Sequence, residues 1–311
     1  MSSKPELGVM VGSVHLPNPV MTASGTAGHG AELGAYVDLA GLGAVVVKSL
    51  HAEPYAGNPP PRLHQTAGGM LNSVGLQGPG VEAWLEDDLP PLLAHGARVV
   101  ASIWGFTVED YAKAAAMLAD APAEVVAVEV NLSCPNVEER RRVFAHSPTA
   151  TGDAIAATVV AGRPRWAKLS PNVTNLTEIA GAALDAGAEA LTLVNTVMGM
   201  AIDPETRRPT LGRGANGGGL SGPAIHPVAV RAVYDCRAAF PAAPIVGVGG
   251  VTRGEDVVEL VLAGAHAVQV GTATFAEPRA SARVLAELRR WMAVHDVARL
   301  TDLIGAAHDP R

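Results

Sequence analysis

The stretch Val125-Val126-Ala127-Val128-Glu129-Val130-Asn131 is a short, largely β-branched run that stops at an amide, and Leu132-Ser133-Cys134-Pro135-Asn136 follows it at once. An apolar run of this length reads as a parallel strand buried on both faces. Working outward, comparable runs occupy 20–23, 44–48 and 98–103 before it, and 165–169, 190–195, 245–248 and 267–270 after it. Stretches at 108–119, 176–186, 223–239, 254–263 and 280–295 carry apolar residues at three- and four-residue spacing and read as helices. Eight strands alternating with helices predict an α/β fold, the (β/α)8 TIM barrel, with its active site at the C-terminal strand ends. A doubly wound open sheet is the alternative. It would begin with a phosphate fingerprint after its first strand, and Ala23-Ser24-Gly25-Thr26 is not one.

The chain has 311 residues, and a barrel commonly takes about 250 with insertions on top. One domain over 1–311 is therefore expected. Hydrophobic residues make up 48% and charged ones 17%, with 34 Gly and 23 Pro, which suits a large core joined by tight turns. A net charge of -7 without a long Lys/Arg run argues against a nucleic-acid surface and for a small-molecule ligand. Only two cysteines occur, Cys134 and Cys236, without metal-ligand spacing, so neither a disulfide framework nor an iron-sulfur site is expected and a reducing cytoplasm fits. The first residues lack the apolar core of a signal peptide, and no apolar run reaches the roughly 18 residues of a membrane span, which predicts a soluble protein. The loops 49–80 and 197–222 are unusually long, and long ordered loops in a compact domain are often functional.

The predicted strand ends carry Ser24, Lys48, Trp104, Asn131, Lys168, Asn195, Gly249-Gly250 and Gly271-Thr272. Lys48 and Lys168 each end an apolar strand, where a buried charge is costly without a partner. One such lysine can simply snorkel to water, but two on one rim favour an anionic or electron-rich ligand. A lysine beside the carbonyl edge of a flavin would stabilise the negative charge that reduction places there. The glycines after strands seven and eight can be ordinary turns, but in barrels this position frequently binds phosphate through backbone N–H groups. Cys134 lies just beyond a strand end between amides, unlike Cys236, whose helical position suits a small buried hydrophobe. A thiol with an ordinary pKa near 8.5 becomes a competent carbon base once an electropositive site lowers it. Asn72, Asn131, Asn136, Asn195 and Thr196 could together match the carbonyls, ring N–H groups and carboxylate of a heterocycle, although singly such amides are usually turn residues. No histidine pair has metal-binding spacing, and no Gly-x-Ser-x-Gly elbow occurs, which argues against metallo- and serine hydrolases.

With these residues in view, the chain resembles the dihydroorotate dehydrogenases over nearly its whole length. The likeness rests on Ala23-Ser24-Gly25-Thr26, Gly57-Asn58-Pro59-Pro60-Pro61-Arg62, Leu71-Asn72-Ser73-Val74-Gly75-Leu76 and Asn131-Leu132-Ser133-Cys134-Pro135-Asn136. It continues in Lys168-Leu169-Ser170-Pro171-Asn172-Val173, Asn195-Thr196, Gly219-Leu220-Ser221-Gly222-Pro223 and Val248-Gly249-Gly250-Val251. The resemblance implies an FMN-containing barrel that oxidises dihydroorotate to orotate in de novo pyrimidine (UMP) biosynthesis. It makes Cys134 the base that removes the C5 proton while hydride leaves C6. Lys48, Asn72, Ser73, Val74, Gly75, Leu76, Asn131, Asn136, Asn195 and Thr196 would hold the substrate. Ala23, Ser24, Lys48, Ser49, Asn131, Lys168, Val194, Gly222, Gly249, Gly250, Gly271 and Thr272 would hold FMN.

A cysteine base points to the soluble class 1, since the membrane-bound class has serine there and an added N-terminal membrane segment. Within class 1 the Asn-Pro-Pro-Pro-Arg loop and the Leu220-Ser221-Gly222-Pro223-Ala224-Ile225-His226-Pro227 stretch look most like the NAD-linked class 1B catalytic subunit. That subunit works with a second one carrying FAD and a 2Fe-2S cluster, so a heterotetramer is expected beside a homodimer. The alternatives are the fumarate-linked class 1A form and an FMN-dependent dihydropyrimidine-type oxidoreductase. A noncatalytic barrel is a further alternative, disfavoured by both lysines, Cys134 and the amide ring. One departure stands out: Glu138-Glu139-Arg140-Arg141-Arg142-Val143-Phe144 stands where the NAD-linked class usually has a glycine-rich loop; the charge run reads as a solvated face, or as a charged lid that could alter closure or partner docking.

Overall fold

Eight parallel strands form the centre of the computed structural model, which describes residues 5–133, 135–136, 142–212 and 217–309. They are β1 (Val20–Thr22), β2 (Val45–Val46), β3 (Val99–Ile103), β4 (Val125–Asn131), β5 (Arg165–Lys168), β6 (Ala190–Leu193), β7 (Ile245–Val248) and β8 (Ala267–Val270). Each lies within two residues of the run that predicted it. Their order in the sheet is β1-β8-β7-β6-β5-β4-β3-β2. Gly43 N donates to Val20 O at 2.8 Å and Thr22 N to Ala44 O at 3.3 Å, which joins the two ends of that order into a barrel. The Thr22 hydroxyl completes this seam, accepting from Val46 N at 2.9 Å and facing Val46 O at 3.3 Å.

The helices lie between the strands in sequence and pack on one another around them. They are α1 (Leu89–Ala94), α2 (Val108–Met117), α3 (Pro148–Ala157), α4 (Leu176–Asp185), α5 (His226–Ala239), α6 (Gly254–Ala263), the single turn α7 (Ala273–Ala276) and α8 (Ala280–Val294). A helical turn at Val81–Ala83 and a π-helical turn at Trp84–Asp88 lead into α1. Two of these starts are fixed by an aspartate at the third position of the helix, which reaches back to the residues before it. Asp110 Oδ2 accepts from Phe106 N and Thr107 N at 2.9 and 3.0 Å ahead of α2. Asp256 Oδ2 accepts from Thr252 N and Arg253 N at 2.7 and 2.9 Å ahead of α6. Each pair satisfies donors that a helix N-terminus leaves open.

Two features lie outside the eightfold pattern. An N-terminal hairpin of Val9–Val11 and Val14–Leu16 alternates buried and exposed residues. Ser13 ties it to Glu189 Oε2, at the start of β6, so the hairpin sits at the N-terminal end of the barrel. At the opposite end the two long loops form an antiparallel sheet, in the order Val197–Gly199, Gly218–Ser221, Gly69–Asn72, Leu63–Thr66. Sequence reading identified both loops as long and potentially functional, and the structure pairs them with each other.

Candidate functional site

At the C-terminal strand ends a cavity of about 290 Å³ opens under the loop sheet. Ala23, Ser24, Lys48, Ser49, Asn131, Lys168, Val194, Asn195 and Thr196 enter its lining from the ends of β1, β2, β4, β5 and β6. Gly249, Gly250, Gly271 and Thr272 enter from β7 and β8, and Asn72, Val74, Gly75, Leu76 and Gly222 from the two long loops. Ser73 stands outside the lining, where its hydroxyl accepts from Asn58 Nδ2 at 3.0 Å. Trp104, also a strand-end residue, is fully buried in an aromatic cluster with His51, Tyr55 and Phe106. Cys134 lies outside the described residues, as do Glu138, Glu139, Arg140 and Arg141 of the charged loop. The backbone of Asn136 pairs with Arg142, and that of Pro135 with Val143, in a short antiparallel ladder.

The amides and hydroxyls are locked to one another before any ligand is considered. Ser24 Oγ lies 3.1 Å from Ser49 Oγ, which lies 2.9 Å from Ser102 Oγ. Asn131 Nδ2 donates to Ser49 Oγ at 3.2 Å, and its Oδ1 accepts from Asn195 Nδ2 at 3.2 Å and from Ser133 N at 3.2 Å. Asn195 Oδ1 in turn accepts from Thr196 N at 2.8 Å. Across the cavity mouth Asn72 Nδ2 donates to Gly219 O at 3.2 Å, which fixes the amide between the two loops. Asn172 supports this arrangement from behind, donating to Thr196 O at 2.9 Å and accepting from Met198 N at 2.8 Å. Side chains held in this way keep their geometry when a ligand enters.

The two lysines differ. Lys168 is 5% exposed and its Nζ sits 3.2 Å from the buried Glu129 carboxylate, so its charge is compensated from below. Lys48 has no carboxylate or hydrogen-bond partner for its ammonium among the described residues. Burial, and then the charge of Arg62, lowers its pKa. A half-buried ammonium without a counter-charge among the described residues favours an anionic or electron-rich group beside it. Both cations expected from sequence line the cavity, and among the described residues only Lys168 is paired with a carboxylate.

Along the opposite wall the backbone comes unusually close. Gly250 has φ 68°, and a Cβ there would lie 2.9 Å from Gly222 O and 2.7 Å from His226 Cβ. Gly222 has φ 98°, and its Cβ would lie 2.7 Å from Gly69 Cα. Side chains are excluded at both positions, which leaves the cavity wall to main-chain atoms, the form that suits a phosphate. His226 Nδ1 lies 2.8 Å from Gly249 O and braces this turn.

The family model for dihydroorotate dehydrogenase matches residues 6–292. The chain belongs to the dihydroorotate dehydrogenase family. Its relatives include proteins named "Dihydroorotate dehydrogenase B (NAD(+)), catalytic subunit" from Geobacter sp. (strain M21), at 46% identity over 97% of this chain and 98% of the relative. The same name is carried by relatives from Pelobacter propionicus, at 47% identity over 97% and 99%, and Desulforudis audaxviator, at 47% over 98% and 98%. Dihydroorotate dehydrogenases of this family are FMN-dependent oxidoreductases, and the chain is an enzyme of that kind. The cavity lining is compatible with that cofactor: a wall of glycine backbone at Gly222 and Gly250, the Lys48 ammonium with no carboxylate partner among the described residues, and a fixed row of amides.

Sequence reading did not single out Ser133, Thr26, Met70, Ser221, Ile225 or Phe275, which also line the cavity. The Ser133 hydroxyl is buried without a partner among the described residues, and its place beside Cys134 was the available signal. Glu129 was legible too, as a lone carboxylate inside an apolar strand.

Proposed function

We propose that the chain, as one FMN-binding barrel over residues 1–311, oxidises (S)-dihydroorotate to orotate in pyrimidine biosynthesis and passes the electrons to NAD through a second subunit. The observation that carries this reading is the convergence of Lys48, Asn72, Asn131, Asn195 and Thr196 on one cavity beside the Gly222 and Gly250 wall. FMN, when bound, accepts the hydride that leaves substrate C6. Ala23, Ser24, Ser49, Val194, Gly222, Gly249, Gly250, Gly271 and Thr272 would hold it, with Lys48 and Lys168 supplying positive charge. Lys48 would also face the substrate, and the amides of Asn72, Asn131, Asn136 and Asn195, with Thr196, would orient its carboxylate and ring groups. The backbone at Val74, Gly75 and Leu76 would close over it, with Ser73 holding that loop through Asn58. Cys134 Sγ would take the C5 proton.

The NAD-linked assignment, over the fumarate-linked and dihydropyrimidine alternatives, is supported by the names of the relatives. A 2Fe-2S cluster needs about four cysteine ligands, and this chain has only Cys134 and Cys236. The electron path to NAD therefore calls for a partner carrying FAD and the cluster, in a heterotetramer built on a homodimer, and a cytoplasmic setting suits it. Among the described residues no helix is long and apolar enough to cross a membrane.

Anaerobic mixing with dihydroorotate tests the reaction: the flavin absorbance should bleach. Bleaching by a different dihydropyrimidine, with none by dihydroorotate, would overturn the substrate. Cys134→Ala should keep FMN yet lose reduction at least a hundredfold. Near-normal reduction by that variant would remove Cys134 from the base role.

A further inference from the structure

Beneath the cavity a buried carboxylate and a buried amide, from two different strands, grip Lys168 on a third. Glu129 on β4 is fully buried, and its Oε1 lies 3.2 Å from Lys168 Nζ on β5. Its Oε2 accepts from Gln269 Nε2 on β8 at 2.6 Å, while Gln269 Oε1 accepts from Lys168 Nζ at 3.5 Å. β4 and β8 lie diametrically opposite in the strand order, so the Glu129–Gln269 bond spans the barrel interior. The three side chains form a closed triangle under the cavity floor.

Fold stability gives no reason for this triangle. A buried ion pair loses about as much in desolvation as it gains in attraction, and well-packed apolar residues of similar volume are often as good or better. Its position supplies a reason. Lys168 is the one member of the three that lines the cavity. Two of its three N–H donors are directed to Glu129 and Gln269, so the ammonium cannot rotate freely against a bound ligand. The Glu129 charge also offsets part of the field that Lys168 projects into the cavity.

We propose that Glu129 and Gln269 are positioning residues that set, through Lys168, the reduction potential of the flavin. This rests on the reading of the cavity as the FMN site. Reduction adds negative charge to the isoalloxazine, and an ammonium at the wall favours that charge. Glu129 weakens this preference and Gln269, a neutral neighbour, holds the geometry without adding charge. The carboxylate and amide therefore act as a paired trim on one cation.

Exchanging the two groups separates charge from packing. Potentials of the purified holoenzyme and its variants would be measured anaerobically against reference dyes, with FMN affinity and thermal unfolding followed in parallel. In Glu129→Gln the uncompensated Lys168 should bind reduced FMN about tenfold more tightly relative to oxidised FMN, a positive shift of ~30 mV. Gln269→Glu surrounds Lys168 with two carboxylates and should shift the potential the other way. The double exchange Glu129→Gln/Gln269→Glu keeps one carboxylate and one amide and should return it close to the starting value. Unchanged potentials, or shifts of the same sign in both single variants, would overturn the proposal and leave the triangle as a packing feature. If Glu129→Gln does not fold, Gln269→Glu alone decides, since an unchanged or raised potential in it contradicts the charge argument. A parent protein that takes up no FMN would instead remove the reading of the cavity.

Discussion

The two cysteines illustrate how much a single side chain owes to its surroundings. Cys236 is fully buried on α5, and burial, reinforced by the charge of Asp235, pushes its thiol up to about 12. It stays protonated and unreactive near neutral pH. Iodoacetamide should therefore alkylate the native protein once, at Cys134, and orotate should slow that reaction. Peptide mapping by mass spectrometry reads the site. Native labelling at Cys236 would contradict its burial, and failure to label Cys134 would argue against a reactive thiol there. Lys48 and Lys168 make the same point with charge: both end apolar strands, yet only Lys168 meets a carboxylate among the described residues. The partner is 39 residues away in sequence, and no reading of either strand alone reveals the pairing.

At the scale of elements, the weak point of the barrel is the seam between β1 and β2. The ladder there is short, and the Thr22 hydroxyl stands in for a backbone group by bonding Val46 N and Val46 O. Thr22→Val preserves volume but leaves two buried main-chain groups without partners, at a cost of about 1–3 kcal/mol. Urea unfolding should show the loss, and Thr22→Ser, which keeps the hydroxyl, should lose less. Equal midpoints for Thr22→Val and the parent would mean that the seam holds through its backbone bonds alone. The β strands were legible because parallel strands buried on both faces are continuous apolar runs. Other elements were not. α3 begins at Pro148 and is built of Pro-Thr-Ala-Thr-Gly-Asp-Ala-Ile-Ala-Ala, which reads as a turn followed by small residues without an apolar stripe. The loop sheet was hidden for a related reason: Gly218 and Gly219 carry no side-chain alternation, so nothing local marks them as strand.

For the molecule as a whole, acid sensitivity should trace in part to the N-terminal end of the barrel. His266 Nδ1 accepts from Ile245 N at 3.2 Å, and burial, with the charge of Arg237, lowers its pKa to about 4. In the unfolded chain the imidazole takes a proton below about 6.5, whereas the folded one stays neutral until about 4. The unfolded state therefore binds more protons in that window, and stability falls as pH drops from 6.5 toward 4, by on the order of 2–3 kcal/mol. His266→Gln, compared with the parent by denaturant unfolding across that range, should remove this component of the slope. An identical slope would assign the acid response to other groups.

The sequence by itself determined the eight strands, five of the surrounding helices, the family and most of the cavity residues, because each is written in contiguous patterns. Apolar runs of strand length, apolar spacing of three and four, and the ordered motifs from Ala23 to Val251 need no knowledge of distant neighbours. Only the tertiary structure decided what those residues meet. It closed the barrel through Thr22, brought Asn72 to Gly219 across 147 positions, and placed Glu129 and Gln269 around Lys168. The reason is physical: the cost of burying a charge or an amide is set by whatever lies within about 3 Å of it, and in a barrel those neighbours come from strands that are far apart in the chain.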